Sequence, residues 1–190
     1  GVCIVVTPLI ALMKDQVQNL RRRGIMAAAI YSGQTRAEVL KHLDNAIFGA
    51  YKFLYVSPER LATSIFLNKV QRMDVCFITV DEAHCISQWG YDFRPHYLRI
   101  AEIRKFFPNV PVLALTATAT PAVVEDIKEK LAFREGSETF KMSFARPNLH
   151  YIVRKTEDKV HELLHILRSV EGCAIVYTRS RRATREVAEL

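Results

Sequence analysis

The chain has 190 residues, about half of them hydrophobic and a quarter charged, with only 7 Gly and 7 Pro. That composition excludes fibrous, disordered and mini-protein classes, and the length suits one domain with part of another. The excess of 27 basic over 20 acidic residues, +7 in all, permits an anionic partner such as nucleic acid without identifying one.

Short apolar, β-branched runs alternate with helical patterns, which predicts βαβ units and a parallel sheet. Strands are expected at 2–6, 26–30, 53–56, 75–80, 111–115, 139–144, 149–153 and 173–178. In the first helix Thr7 is a candidate N-cap and Pro8 its first residue, Leu9, Leu12, Met13, Val17 and Leu20 form one stripe, and Gly24 stops it. Thr120 and Pro121 open another helix with Val124, Ile127 and Leu131 as its stripe. Arg146-Pro147-Asn148 interrupts the pattern, which places a domain boundary near residue 145: residues 1–144 form one unit and 145–190 begin a second. The first residues read as a strand, there is no initiator Met, and Ser180 to Leu190 read as an unterminated amphipathic helix, so the chain is expected to be a piece of a longer one. No apolar run approaches the ~20 residues that cross a bilayer, and no signal peptide is visible. Four cysteines without a CxxC spacing suit a reduced compartment.

Polar clusters follow the apolar strands: Thr7-Pro8, Ser57-Pro58-Glu59, Asp81-Glu82-Ala83-His84 and Thr116-Ala117-Thr118. In an open parallel sheet those strand ends share one edge, where such folds bind ligands. Asp81 and Glu82, after a buried strand, could place one carboxylate to hold Mg²⁺ through its water shell and a second to orient or deprotonate an attacking water; alternatively, Asp81 caps the next turn. In the following stretch Trp89 and Phe93 could be flat faces for stacked bases and Arg94 a phosphate or cation–π contact; alternatively, the aromatics are core. His161-Glu162-Leu163-Leu164-His165 fits HExxH, but Val160, Leu163, Leu164 and Leu167 define the buried stripe of that helix and both histidines fall toward its solvent side, with no third zinc ligand evident. No glycines are spaced as Gly-x-x-x-x-Gly-Lys-Ser/Thr, so the chain carries no phosphate-cradling P-loop.

Asp81-Glu82-Ala83-His84 resembles the DEAH form of the Walker B motif of superfamily 2 helicases, and Cys85 to Pro95, CISQWGYDFRP, resembles the aromatic-rich loop of the RecQ family. Thr7 to Gln16 resembles motif Ia, Val56 to Leu61 motif Ib, Leu115 to Thr120 motif III, and Ile175 to Arg181 motif IV, with Thr178-Arg179 in place of the common Cys-Asn. Ser143 to Leu149 resembles the segment between the two lobes, with Ala145 where an Asp is usual. The resemblance implies an α/β, RecA-like parallel sheet with flanking helices, the first lobe incomplete at its N-terminus, plus the start of a second lobe. It implies an ATP-dependent DNA helicase moving 3′ to 5′ in recombination and repair, with ATP and Mg²⁺ as cofactors. Catalytic roles then fall to Asp81, Glu82 and His84, nucleotide contacts to Asp81, Thr116 and Thr118, and Mg²⁺ to Asp81 through water. DNA contacts fall to Thr7, Pro8, Ser57, Gln88, Trp89, Phe93, Arg94, Tyr177 and Arg181, with Gln88 and His84 relaying DNA binding to the acids. The implied partners are single-stranded and partly duplex DNA and other repair or recombination proteins, not a membrane, in the cytoplasm and nucleoid of a bacterium or the nucleus of a eukaryote. Two other readings stand beside it: a non-catalytic nucleic-acid-binding module, and a zinc hydrolase acting through His161 and His165.

Overall fold

The computed structural model describes every residue except Tyr91 and Phe144. The chain divides into two compact units, Gly1–Glu138 and Thr139–Leu190.

In the first unit β1 (Val2–Val6), β2 (Ala27–Ile30), β3 (Phe53–Val56), β4 (Val75–Val80) and β5 (Val112–Ala114) form one sheet in the order β2-β3-β1-β4-β5. Every pairing is parallel, and β1 is flanked by both β3 and β4. A parallel strand must be covered on both faces, which is why β1 is an unbroken apolar run. Its residues alternate between two cores. Val2, Ile4 and Val6 join Ala28, Ile30, Leu54 and Val56 against α2 (Arg36–Ile47), α4 (Ser64–Val70) and α6 (Pro121–Lys130). Cys3 and Val5 join Ala27, Ala29 and Tyr55 against Met13 and Val17 of α1 (Ile10–Arg22). The short helices α3 (Pro58–Leu61) and α5 (Ile100–Arg104) complete the first core.

The strand at 75–80 is expected to be wholly buried, and the structure corrects this. Val75, Ile78 and Val80 are buried, whereas Cys76 is exposed and Phe77 and Thr79 are half-buried. Cys76 falls at a register shift between the Val2–Val75 and Cys3–Phe77 pairs, and on the face of Phe77 and Thr79 the apolar cluster gathers under α1 around β1, β2 and β3 and reaches β4 only at Phe77.

Several helix ends follow local chemistry. Gly24, at φ +77°, closes α1: its N–H reaches the Arg21 carbonyl and the Ile25 N–H the Leu20 carbonyl, a Schellman arrangement that a residue with a Cβ adopts at a cost. Thr35 and Glu38 form a reciprocal capping box on α2, and Thr120 caps α6 with Pro121 as its first residue. The starts of α1, α3 and α5 have no side-chain cap, and at α1 the cap position is Leu9, so neither Thr7 nor Pro8 has the role expected of it there.

The second unit contains α7 (Lys159–Ser169), capped by Asp158, and α8 (Arg181–Ala188), capped by Ser180. Among its described residues there is no strand, so the strands expected at 139–144, 149–153 and 173–178 are not formed; Phe144, within the first of these, lies outside the described residues. Extended segments become strands only when another ladder satisfies their N–H and C=O groups, and these segments carry the right residues without that partner. Their apolar side chains, Phe140, Tyr151, Val153 and Ile175 among them, are accordingly exposed. No helix among the described residues is long and apolar enough to cross a membrane.

Ile4 is fully buried on the central strand between two neighbours. Ile4→Ala is expected to cost about 2–5 kcal/mol, read as a lower urea midpoint at unchanged m-value.

Candidate active site and aromatic loop

The C-terminal ends of β1, β3, β4 and β5 bring Thr7, Ser57, Asp81 and Thr116 to one edge of the sheet, as parallel pairing requires. The ladder continues one step past β4, where the Asp81 N–H donates to the Val6 carbonyl at 2.9 Å. The Asp81 carboxylate is oriented by two neutral donors: the Glu82 N–H on Oδ1 at 2.9 Å and the Thr7 hydroxyl on Oδ2 at 3.2 Å. Thr7 is therefore no helix cap. It is 0% exposed, and its hydroxyl serves the acid. Asp81 has no Lys or Arg ion-pair partner among the described residues.

Immediately after it the backbone reverses. Glu82 sits at φ 48°, ψ 44°, the left-handed region that costs an L-residue ~1–2 kcal/mol. Three hydrogen bonds over-determine that conformation. The Ala83 N–H donates to the Leu115 carbonyl, the Cys85 N–H to the Glu82 carbonyl, and the hydroxyl of fully buried Tyr97 to the Asp81 carbonyl, each at 2.9 Å. A 3-10 turn, Ala83–Ile86, follows. It carries His84, which is 3% exposed, with Nδ1 3.0 Å from Thr116 Oγ1 and 3.3 Å from Glu82 Oε2. Glu82 itself is half-buried, with its carboxylate reaching the surface edge. Thr118 is exposed, its N–H donating to Thr116 Oγ1 in a short turn.

The loop that follows is built to present its tip. Ser87 is buried, and its Oγ accepts the Trp89 N–H at 3.2 Å. It also donates toward Asp126 on α6: burial pushes that carboxyl up, but the Ser87 and Lys130 hydrogen bonds outweigh it and hold the group below the usual carboxylate range. Gly90 folds so closely that a Cβ there would lie 2.7 Å from the His84 carbonyl oxygen. Trp89 consequently stands out, 80% exposed, with Gln88 exposed beside it. The core reading of Trp89 is thereby excluded, while Phe93 is half-buried. Arg94 is already engaged: Nε and Nη2 both donate to Asp92 Oδ2, at 3.0 and 2.8 Å, and its backbone N–H donates to the Cys85 carbonyl. That ion pair, through the Arg94 hydrogen bond above all, holds the Asp92 carboxyl below its ordinary range.

The remaining expected residues are placed as follows. Pro8 is half-buried. Ser57 precedes α3, its backbone N–H donates to the Ile30 carbonyl, and its hydroxyl is buried without a hydrogen-bond partner. Tyr177 and Arg181 lie in the second unit, both exposed. On α7 His161 and His165 are exposed, and the Glu162 carboxylate is taken by Arg154. Neither histidine belongs to a three-ligand cluster among the described residues.

Two residues that the sequence reading left without a role emerge here. Tyr97 locks the acid turn, and a buried tyrosine hydroxyl demands a partner, but nothing local marks that tyrosine as buried. Asp92 restrains Arg94, and the signal was present as Asp-x-Arg at 92–94, a spacing at which a short acid reaches the guanidinium.

The geometry separates stability from exposure. Trp89→Ala should leave the melting temperature unchanged, within about 0.5 kcal/mol of stability, whereas Tyr97→Phe, which removes the donor to the Asp81 carbonyl, should cost ~1–3 kcal/mol. The cysteines should also sort by environment. Burial, with Asp92 beside it, pushes the Cys85 thiol up to about 11, while Cys76 and Cys173 are exposed. Iodoacetamide at neutral pH should therefore label Cys76 and Cys173 well before Cys85, as read by peptide mass spectrometry.

Comparison with known proteins agrees with this geometry. Residues 1–127 match the DEAD/DEAH box helicase family. The ATP-dependent DNA helicase RecQ of Haemophilus influenzae is 40% identical over 190 residues, covering all of this chain and 30% of that protein. The ATP-dependent DNA helicase RecQ of Bacillus subtilis is 43% identical over 193 residues, covering all of this chain and 32% of that protein. The chain thus spans about a third of the length of these relatives. Among solved structures, the DUF1998 helicase MrfA shares the fold over all of this chain and 30% of its own, at TM-score 0.65 and 17% identity. The helicase domain of Pyrococcus furiosus Hef does so over 70% of this chain and 27% of its own, at TM-score 0.52 and 20% identity. An acid turn at the end of β4, an aromatic loop leaving it, and a sequence match that contains both make this chain a member of the DEAD/DEAH box helicase family, similar over its whole length to RecQ helicases.

Proposed function

We propose that this chain is the central portion of an ATP-dependent DNA helicase that moves 3′ to 5′ and serves recombination and repair. In this reading residues 1–144 are most of the first RecA-like lobe and 145–190 the start of the second. The observation that carries it is the direct wiring of Asp81-Glu82 to the loop bearing Trp89, through His84, Ser87 and Tyr97, within one compact unit.

The acid turn fits a hydrated divalent cation: the Asp81 carboxylate is oriented by two neutral donors and is not consumed by a side-chain cation. Mg²⁺ held there with ATP would shield phosphate charge and stabilise the charge that develops as the terminal phosphoryl leaves. The chain's own residues do the rest. Asp81 holds the ion's water shell, and Glu82 orients and deprotonates the attacking water. His84, pinned between Glu82 and Thr116, fixes where that carboxylate points. Thr116 and Thr118, at the end of β5, face the same edge as phosphate contacts. Single-stranded DNA stacks on Trp89 and takes Arg94 from Asp92, and the displaced loop reaches the acids through Ser87, the Gly90 contact with the His84 carbonyl, and Tyr97. Gln88 and Phe93 extend that surface, and Pro8, Tyr177 and Arg181 supply contacts elsewhere along single-stranded or partly duplex DNA, whereas Thr7 and Ser57, expected to do so, are buried and their side chains make no such contact.

None of the 190 residues forms Gly-x-x-x-x-Gly-Lys-Ser/Thr, so phosphates are not gripped by this chain alone. The isolated chain should show no DNA-stimulated ATPase, and measurable turnover by it would sink the reading. In the full-length protein Glu82→Gln should preserve nucleotide binding and lower turnover ~10²–10⁴-fold. Trp89→Ala there should keep basal hydrolysis and lose most of its stimulation by single-stranded DNA, because one stacked base contributes only ~1–3 kcal/mol to binding while the coupling runs through that loop.

A further inference from the structure

Three side chains at the root of the aromatic loop converge on one point: Cys85, which has no part in the reading above, and the faces of His84 and Asp92 turned toward it. Cys85 Sγ lies 3.8 Å from His84 Nε2 and 3.7 Å from Asp92 Oδ2, and the three ligand atoms all fall within 4.8 Å of one another. This is the one such three-ligand group among the described residues. We propose that His84 Nε2, Cys85 Sγ and an Asp92 carboxylate oxygen form a binding site for a thiophilic divalent cation, zinc being the chemical fit.

The donor set is what zinc prefers, one imidazole, one thiolate and one carboxylate, with a fourth position open to water. Tetrahedral zinc with bonds of ~2.0–2.3 Å sets its nitrogen, oxygen and sulfur ligands about 3.3–3.7 Å apart, close to the two sulfur distances of 3.8 and 3.7 Å already present. The outer contacts match as well. A metal-bound histidine characteristically gives its other ring N–H to a carboxylate or hydroxyl, and His84 Nδ1 has both Glu82 Oε2 at 3.3 Å and Thr116 Oγ1 at 3.0 Å. Two ligands are buried and adjacent on one rigid 3-10 turn, while Asp92 is part-exposed and leaves a way in.

Binding is an exchange. The Cys85 S–H, now directed at Asp92, releases its proton to water as the sulfur–metal bond forms, and Asp92 trades its Arg94 hydrogen bonds for the cation. Occupied, the site would tie the loop at Asp92 to the turn that holds His84.

Cobalt is the probe, since it takes zinc's geometry and reports sulfur ligation by absorption. Titrating the chain with Co²⁺ should produce one thiolate charge-transfer band that saturates at one equivalent and is displaced by Zn²⁺. Cys85→Ser should abolish the band, Asp92→Asn should weaken binding, and Thr116→Val, which removes the hydroxyl beside His84 Nδ1, should weaken it ~10–100-fold. Cys76→Ser and Cys173→Ser should leave it intact. Should Cys85→Ser fail to fold, X-ray absorption of the zinc-loaded unmodified chain decides, with one sulfur at ~2.3 Å and otherwise nitrogen or oxygen expected. No thiolate band at millimolar Co²⁺, a band that survives in folded Cys85→Ser or vanishes in Cys76→Ser or Cys173→Ser, or a shell with two sulfurs would each overturn the proposal.

Discussion

Everything at the functional edge depends on one reversed backbone conformation, that of Glu82. A non-glycine residue in the left-handed region is retained only when its surroundings hold it there, and here they are named: the Leu115 carbonyl from the end of β5, the hydroxyl of Tyr97, and the return bond from Cys85. Without that reversal the chain would leave β4 along its own axis. With it, Glu82 turns back over His84, Asp81 keeps its carboxylate toward Thr7, and the loop departs sideways to place Trp89 in solvent.

The same turn ties several elements of the unit together at this edge. Asp81 is tied to β1 by the Val6 carbonyl and the Thr7 hydroxyl, Ala83 to the end of β5, and Ser87 to α6. Each bond joins segments far apart in sequence, so the position of the two acids is set by the whole sheet rather than by their local stretch. A loop that moved at Trp89 would strain contacts that end on three different elements.

Most of the sheet was legible because buried parallel strands must be apolar throughout: Val2–Val6 and Phe53–Val56 stand in the sequence as they stand in the fold. Gly24 and Thr120 were legible because caps are local chemistry. Thr7 was misread for the opposite reason. A threonine before a proline at a helix start has the local marks of a cap, but its hydroxyl found a partner 74 residues away in Asp81. The strands expected beyond residue 138 failed on the same ground, since pairing is a non-local condition that residue type does not report. Of the site, the acid pair and the exposed Trp89 could be read from their succession and from the lack of any period in the loop. Tyr97 and Asp92 could not be, because their importance lies in what they touch.

The Arg94–Asp92 pair changes how the basic character of this chain should be counted. A free arginine that meets a phosphate displaces a condensed counterion from the nucleic acid, and that release is a large part of the driving force. Arg94 brings its own counterion, covalently attached two residues away. At this point of the loop attraction is therefore nearly neutral until Asp92 lets go, and the guanidinium becomes a fixed-geometry contact rather than a source of long-range pull. Under the proposed function, the chain's surplus of seven positive charges would draw a polyanion in elsewhere on its surface, and the loop would discriminate among those that arrive by shape and stacking.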